Sequence, residues 1–206
     1  MKVLVACEYS GTVRDAFLKR GHDALSCDLL PTDVPGPHYQ GDVFDIIGDG
    51  WDLMIAHPPC TYLASSGAVW FDEKRYGDKA RLRKKNREEA VAFVKKLYDA
   101  NIPRVAVENP IGNLSSMWRK PDQIIQPYHY GHPQMKSTCL WLKGLPKLVP
   151  TKIVEREYIT IADGRRYPKW SYDTFMLPKS IRWKERSKTF QGIADAMADQ
   201  WSPAPS

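Results

Sequence analysis

Two hydrophobic rhythms alternate along this chain. Closed apolar runs bounded by turn-forming residues predict buried strands at 3–7, 24–27 and 52–57. Positions 12–20 carry the spacing of a short helix that stops at Gly21. A turn-rich stretch at 31–37 leads to Gly41-Asp42, and residues 61–78 read as a loop with Ser65, Ser66, Gly67 and several aromatics. From about 79 to 100 a long amphipathic helix is predicted, with Ala90, Val91, Phe93, Val94, Leu97 and Tyr98 as its apolar stripe. Further strands are predicted at 105–107 and 138–142, and a closing helix at 190–201 runs through Ile193, Ala194, Met197 and Trp201. Strands alternating with helices indicate βαβ units, hence an α/β fold with a doubly wound, mostly parallel sheet. Residues 145–188 break the rhythm: prolines, basic residues and aromatics without periodicity read as a small irregular insertion within a single domain of 1–206.

Composition narrows the picture modestly. A chain of 206 residues with 43% hydrophobic and 26% charged residues is ordinary for a globular domain. The formal net charge of +6 favours an anionic partner, nucleic acid first. Cys7, Cys27, Cys60 and Cys139 include no pair at zinc-ligand spacing, and a core of this size needs no disulfide staples, so no metal is implied and reduced thiols in a cytoplasmic protein are expected. The chain enters its first strand directly, without a signal-peptide core. No apolar stretch approaches the roughly eighteen residues that cross a bilayer, so no membrane partner is expected. Nothing here fixes an oligomeric state.

The chemistry concentrates at strand ends. The run 53–56 stops at Pro58-Pro59, which lack N–H donors and cannot continue a ladder, and Cys60 follows at once. The strand at 105–107 ends likewise in Glu108-Asn109-Pro110. Open α/β sheets bind ligands at the carboxyl ends of their strands, so a thiol and a carboxyl delivered there suggest covalent catalysis with acid assistance. Each residue alone has a plainer reading. Cys60 could be a packing thiol, Glu108 a helix cap, Asn109-Pro110 a turn, Asp28 and Asp42 turn or cap residues, and His57 a structural histidine.

Taken in order, these motifs resemble the DNA cytosine C5 methyltransferase family, as a small, phage-like member with a very short target-recognition region. Pro59-Cys60 matches that family's Pro-Cys loop and Glu108-Asn109 its Glu-Asn pair. Gly131-His132-Pro133-Gln134-Met135-Lys136-Ser137-Thr138 resembles its Gly-x-Pro-Gln-x-Arg-x-Arg segment. Cys7-Glu8-Tyr9-Ser10-Gly11 corresponds to the cofactor loop, Asp28 and Asp42 to the acidic positions after it, and Gly192-Ile193-Ala194 to the closing Gly-Asn helix.

The resemblance implies a Rossmann-like fold of the S-adenosylmethionine-dependent methyltransferase type, acting on DNA with the target cytosine flipped into the pocket. Cys60 would be the nucleophile, needing a lowered pKa, and Glu108 the acid at N3, needing one raised by burial. Asn109 and Lys136 would hold the base or stabilise charge. Cys7, Glu8, Tyr9, Ser10, Gly11, Asp28, Asp42, Pro59, Ile193 and Ala194 would contact S-adenosylmethionine. Glu8 and Tyr9 stand where the family prefers small residues, Lys136 and Thr138 where it has arginine, and Pro110 where it has valine. Those departures motivate two alternatives: cytosine C5 modification of a free nucleotide or with another one-carbon donor, and a non-catalytic nucleic-acid-binding relic. Arg81, Arg83, Lys84, Lys85, Arg165, Arg166 and Lys169 are the expected phosphate contacts.

Overall fold

A computed structural model describes residues 1–202. The apolar runs become strands β1 (Lys2–Ala6), β2 (Asp23–Asp28), β4 (Leu53–Ala56) and β5 (Arg104–Pro110), with the short β3 (His38–Gln40) after β2. Two further strands, β6 (Gln123–Ile125) and β7 (Thr138–Lys143), complete a seven-stranded sheet in the order β3-β2-β1-β4-β5-β7-β6. The first five strands are parallel, and β7 runs antiparallel between β5 and β6. This is a mixed α/β fold with a mostly parallel, doubly wound sheet of Rossmann-like architecture.

Continuous apolar strands need cover on both faces, which they receive. On one face lie α1 (Thr12–Leu18) and the last helix, α7 (Gln191–Gln200), which contribute Val13, Phe17, Ile193 and Met197. On the other lies α3 (Asp78–Tyr98), preceded by the one-turn α2 (Glu73–Tyr76) and contributing Val91, Val94 and Leu97. A four-residue α4 (Leu114–Met117) follows β5. Arg14, on α1, is fully buried and reaches Ser26, Thr32 and the carbonyls of Val34 and Pro35, tying the turn-rich loop to the sheet.

Residues 145–188 are more regular than their composition predicts. They contain the hairpin of β8 (Tyr158–Thr160) and β9 (Arg166–Pro168), then α5 (Lys169–Met176) and α6 (Lys179–Ser187). Pro168 and Pro178 immediately precede the two helices, where a missing N–H does no harm, so these prolines start helices instead of breaking them. The 61–78 loop likewise contains a 3-10 helix at Ser65–Phe71 as well as α2. No helix among the described residues is long and apolar enough to cross a membrane.

Candidate active site

Strand register builds the site. Ala6 pairs with Cys27 on one side and Ala56 on the other, and Ala56 pairs with Val107. The next residue of each strand therefore falls in one row at the carboxyl edge: Asp28, Cys7, His57, Glu108. Three strand spacings separate its ends, about 14 Å at roughly 4.8 Å each. The row thus divides into an acidic end at Asp28 and a second end at Glu108.

At the second end the chain after β4 is held at several points. His57 N–H donates to Ala6 O at 2.9 Å, and Asn109 Nδ2 donates to Pro58 O at 2.8 Å. Leu63 and Ala64 N–H both donate to Cys60 O at 2.9 Å. His57 Nδ1 lies 3.1 Å from Glu108 Oε2, both side chains being largely buried. The prolines stop the strand, and β5 supplies the partners that fix the Pro-Cys turn. His57 Nε2 and Asn109 Oδ1 are buried without a hydrogen-bond partner among the described residues.

The electrostatics correct two expectations. Burial pushes the Glu108 carboxyl up, but the hydrogen bond from His57 and the charges of Lys136 and His57 outweigh it. The group is held below the ordinary carboxylate range. Cys60 is exposed as a residue, yet crowding around its thiol and the Glu108 charge raise its pKa against the opposing pull of Lys136 and Arg186. In this arrangement the carboxyl is ionised and the thiol protonated, the reverse of the expected pair. Burial lowers Lys136, partly offset by Glu108, and its Nζ donates to Lys188 O at 3.1 Å.

At the acidic end, a cavity of about 160 Å³ is lined by Cys7, Asp28, Asp42, Pro59, Val43 and Phe93, with Leu29 at its lip. Leu29 is 74% exposed although apolar. Asp28 Oδ1 accepts from Leu30 N–H and Asp42 Oδ1 from Phe44 N–H, leaving the second oxygen of each without a partner among the described residues. Cys7 adopts φ 57°, an uncommon left-handed conformation for a side-chain-bearing residue. Burial, with Asp28 adding to it, pushes its thiol far up.

Residues 8–11, expected to contact the cofactor, are held by contacts within the chain. Glu8 is buried, and its carboxylate accepts from Val13 N–H at 2.7 Å, Arg14 N–H at 3.2 Å and the Ser10 hydroxyl at 3.2 Å. It caps α1 from within. Gly11 sits at φ 73°, where a Cβ would meet the Arg14 guanidinium at 2.5 Å. Tyr9 Oη lies 2.8 Å from Ser187 Oγ and donates to Lys184 O at 3.1 Å, while Lys184 Nζ reaches Asp33 at 2.5 Å. These ties strap α6 across the row, although α6 buries none of its own residues.

Cys7, Asp28, Asp42 and Pro59 thus gather at the cavity. Glu8, Tyr9 and Ser10 share a small crevice with Cys7, His57 and 187–189, and Gly11 packs on Arg14. Ile193 lies beside Glu108 and Lys136, and Ala194 is core. Neither lines the acidic cavity. Sequence reasoning passed over Leu29, Val43 and Phe93 as cavity walls, Arg186 as a charge near Cys60, and left His57 undecided. Counting one residue past each apolar run would have set His57 beside Glu108. Of the expected phosphate contacts, Arg81 and Lys84 pair with Glu73, Arg165 with Asp163 and Lys169 with Asp173.

No family model matches the chain, and no curated protein does. Among solved structures it is similar to a candidate DNA modification methyltransferase encoded within a prophage of E. coli. The identity is 14% and the TM-score 0.47, over 75% of this chain and 52% of that one. The chain spans about half the length of that structure.

Proposed function

We propose that this protein is an S-adenosylmethionine-dependent methyltransferase acting on C5 of cytosine in DNA through a covalent Cys60 adduct. One observation carries the reading. The Cys60 turn is bound through Pro58 to Asn109, and Glu108, next in the chain, faces His57 and Lys136 at the same sheet edge as an acidic, apolar-walled cavity.

The cavity residues suit the donor. Engineered cavities of about 150 Å³ take up benzene, so the space between Val43, Phe93 and Pro59 suits a heteroaromatic ring. The free oxygens of Asp28 and Asp42 can accept from ribose hydroxyls and a ring amino group. When bound, S-adenosylmethionine supplies an electrophilic methyl group. The α1 amides are already satisfied by Glu8, so the donor's carboxylate must be held elsewhere. That last point favours a second reading, the same cytosine chemistry with a different one-carbon donor.

The chain's own residues account for the proton. The protonated thiol and ionised carboxyl together hold one proton. Its net transfer from Cys60 toward Glu108 leaves a thiolate to form the S–C6 bond and an acid to deliver hydrogen to N3, where the ring electrons go. Neutralising Glu108 removes one of the charges that raise the thiol, so the two steps assist each other. Lys136 offsets charge on the same side. The space between Glu108, Lys136 and Ile193 is only about 10 Å³, room for about one water. Thr189 and Phe190, which also line this space, must therefore move to admit a base there.

A 5-fluorocytosine oligonucleotide tests this reading, because fluorine cannot leave C5 as a proton. With S-adenosylmethionine present, the protein should form an adduct that survives denaturation. Cys60→Ser should abolish it, and Cys27→Ser and Cys139→Ser should not. An adduct persisting in Cys60→Ser overturns the assignment. A melting temperature unmoved by millimolar S-adenosylmethionine, with trapping intact, moves the conclusion to the second donor.

A further inference from the structure

A cavity of about 340 Å³ on the outer side of the Cys60 loop, larger than the one at Asp28, is left unused by this reading. Trp70 and Tyr76 form one wall, with ring centroids 4.9 Å apart, and Tyr62 stands at the other side. Trp70 is 50% exposed and Leu82 60%, so the apolar wall faces solvent. Arg83 stacks 5.0 Å from the Tyr62 ring centroid and donates to Thr61 O at 2.7 Å, the carbonyl next to Cys60. A Cβ at Gly67 would lie 2.7 Å from the Arg83 guanidinium, so the loop packs closely against the end of that side chain.

Along this stretch of the helix some cations are paired and others are not. Arg81 pairs with Asp78 and Glu73, Lys84 with Glu73, and Lys85 with Glu89. Lys79 and Arg83, which line the cavity, pair with no carboxylate among the described residues. Uncompensated cations beside exposed aromatic faces suit a ligand with an anionic group and a flat ring, and a nucleotide has both.

We infer that this cavity holds a nucleotide flanking the target, its base against Trp70 and Tyr76 and its phosphate on Lys79 and Arg83. The inference rests on the nucleic-acid reading above and adds a recognition element within 62–86, outside the 145–188 segment. Because Arg83 is bonded to the carbonyl beside Cys60, an occupied cavity would also fix the thiol loop. Recognition and positioning of the thiol would share one side chain.

The test measures oligonucleotide binding in a Cys60→Ser background, where no adduct forms, and trapping in the parent chain. Trp70→Ala should weaken binding roughly 5- to 150-fold, the range for one lost base–aromatic stack. Trp70→Phe should recover most of it. Lys79→Ala should lower the salt slope by about 0.9. An abasic residue next to the target cytosine should erase the difference in affinity that Trp70→Ala makes. Unchanged binding in both Trp70→Ala and Lys79→Ala overturns the inference, whatever trapping does. Equal dependence on Trp70 for free deoxycytidine monophosphate also overturns it, because the site would then take the substrate itself. Absent trapping with the Trp70 dependence intact sinks the covalent reading and leaves the cavity assigned.

Discussion

The strap over the site gives the most direct test of whether the row is gated. In Tyr9→Phe the ring stays beside Trp183 and Lys184, and only the hydroxyl is lost. The hydroxyl's contacts to Lys184 O at 3.1 Å and Ser187 Oγ at 2.8 Å disappear. The Ser187 hydroxyl can still donate to Lys184 O at 2.9 Å, and two hydroxyls supply only two protons, so the net loss is one hydrogen bond and neither partner is left unsatisfied. The expected loss is therefore about 1 kcal/mol, or roughly fivefold in the balance between closed and open strap.

Because α6 buries none of its residues, polar ties carry its attachment and the full effect should appear locally. Native-state hydrogen exchange of α6 amides should quicken by that factor while β4 and α7 amides do not change. Apparent oligonucleotide affinity should tighten, since the binding-competent fraction rises. Unchanged exchange in α6 would refute the gating argument, and so would weaker oligonucleotide binding once exchange has quickened.

Three other variants extend the same geometry. Glu108→Gln removes a charge that raises the Cys60 thiol, so iodoacetamide should alkylate Cys60 faster, while 5-fluorocytosine trapping slows by at least about a hundredfold for want of an acid; both rates rising together would contradict the assigned roles. The same variant should flatten the acid limb of the stability curve. A carboxyl depressed below 4.5 stabilises the fold above its unfolded value and loses that contribution as pH falls through its folded one, which thermal melts across that range would read. Asp28→Asn should weaken S-adenosylmethionine roughly 10- to 100-fold by calorimetry, the cost of a charged acceptor, and an unchanged affinity would empty the cavity of its proposed role. Arg165→Gln with Lys169→Gln should leave the salt dependence of DNA binding unaltered, because both cations already sit against carboxylates, and a slope reduced by about 1.8 would return the hairpin to the interface.

The strands that carry the site were legible because each is built on a buried apolar run; β4 stops at Pro58-Pro59 as its sequence predicts, whereas β5 continues past its apolar run through Glu108 and Asn109 to Pro110, paired with β7. Helices α3 and α7 were legible from their stripes. Strands β3 and β6 are three residues each, too short for a period to show. Helices α5 and α6 bury almost nothing, only Thr174 between them, so no apolar stripe exists to be read. Arg14 is the clearest miss. An arginine on a helix reads as solvent-facing, and its burial is made tolerable by the neighbouring Asp15 carboxyl together with the loop folding back over it, five hydrogen-bonding partners in all. The ionisation of Glu108 and Cys60 was out of reach for a related reason. Whether burial or pairing wins depends on Lys136 and His57, which arrive from other parts of the chain.

Three features of the closed form bear on one another. The thiol is protonated, held so by crowding and by Glu108. The Lys136 ammonium is engaged with Lys188 O, on the strap. The remaining space beside Glu108 holds about one water. Moving the strap would bear on all three: it frees Lys136 to face Glu108 and Cys60 and makes room for a base, while carrying off Arg186, whose charge lowers the thiol. A free thiolate in an open crevice would be exposed to oxidation and stray alkylation. A site whose nucleophile ionises only as the base enters avoids that exposure, although reaction must then wait on the strap. The polar ties through Tyr9, Asp33 and Lys136 are each weak enough to break and together sufficient to hold α6 in place. On this argument Tyr9, whose hydroxyl ties α6 to the loop after β1, is the anchor of the strap.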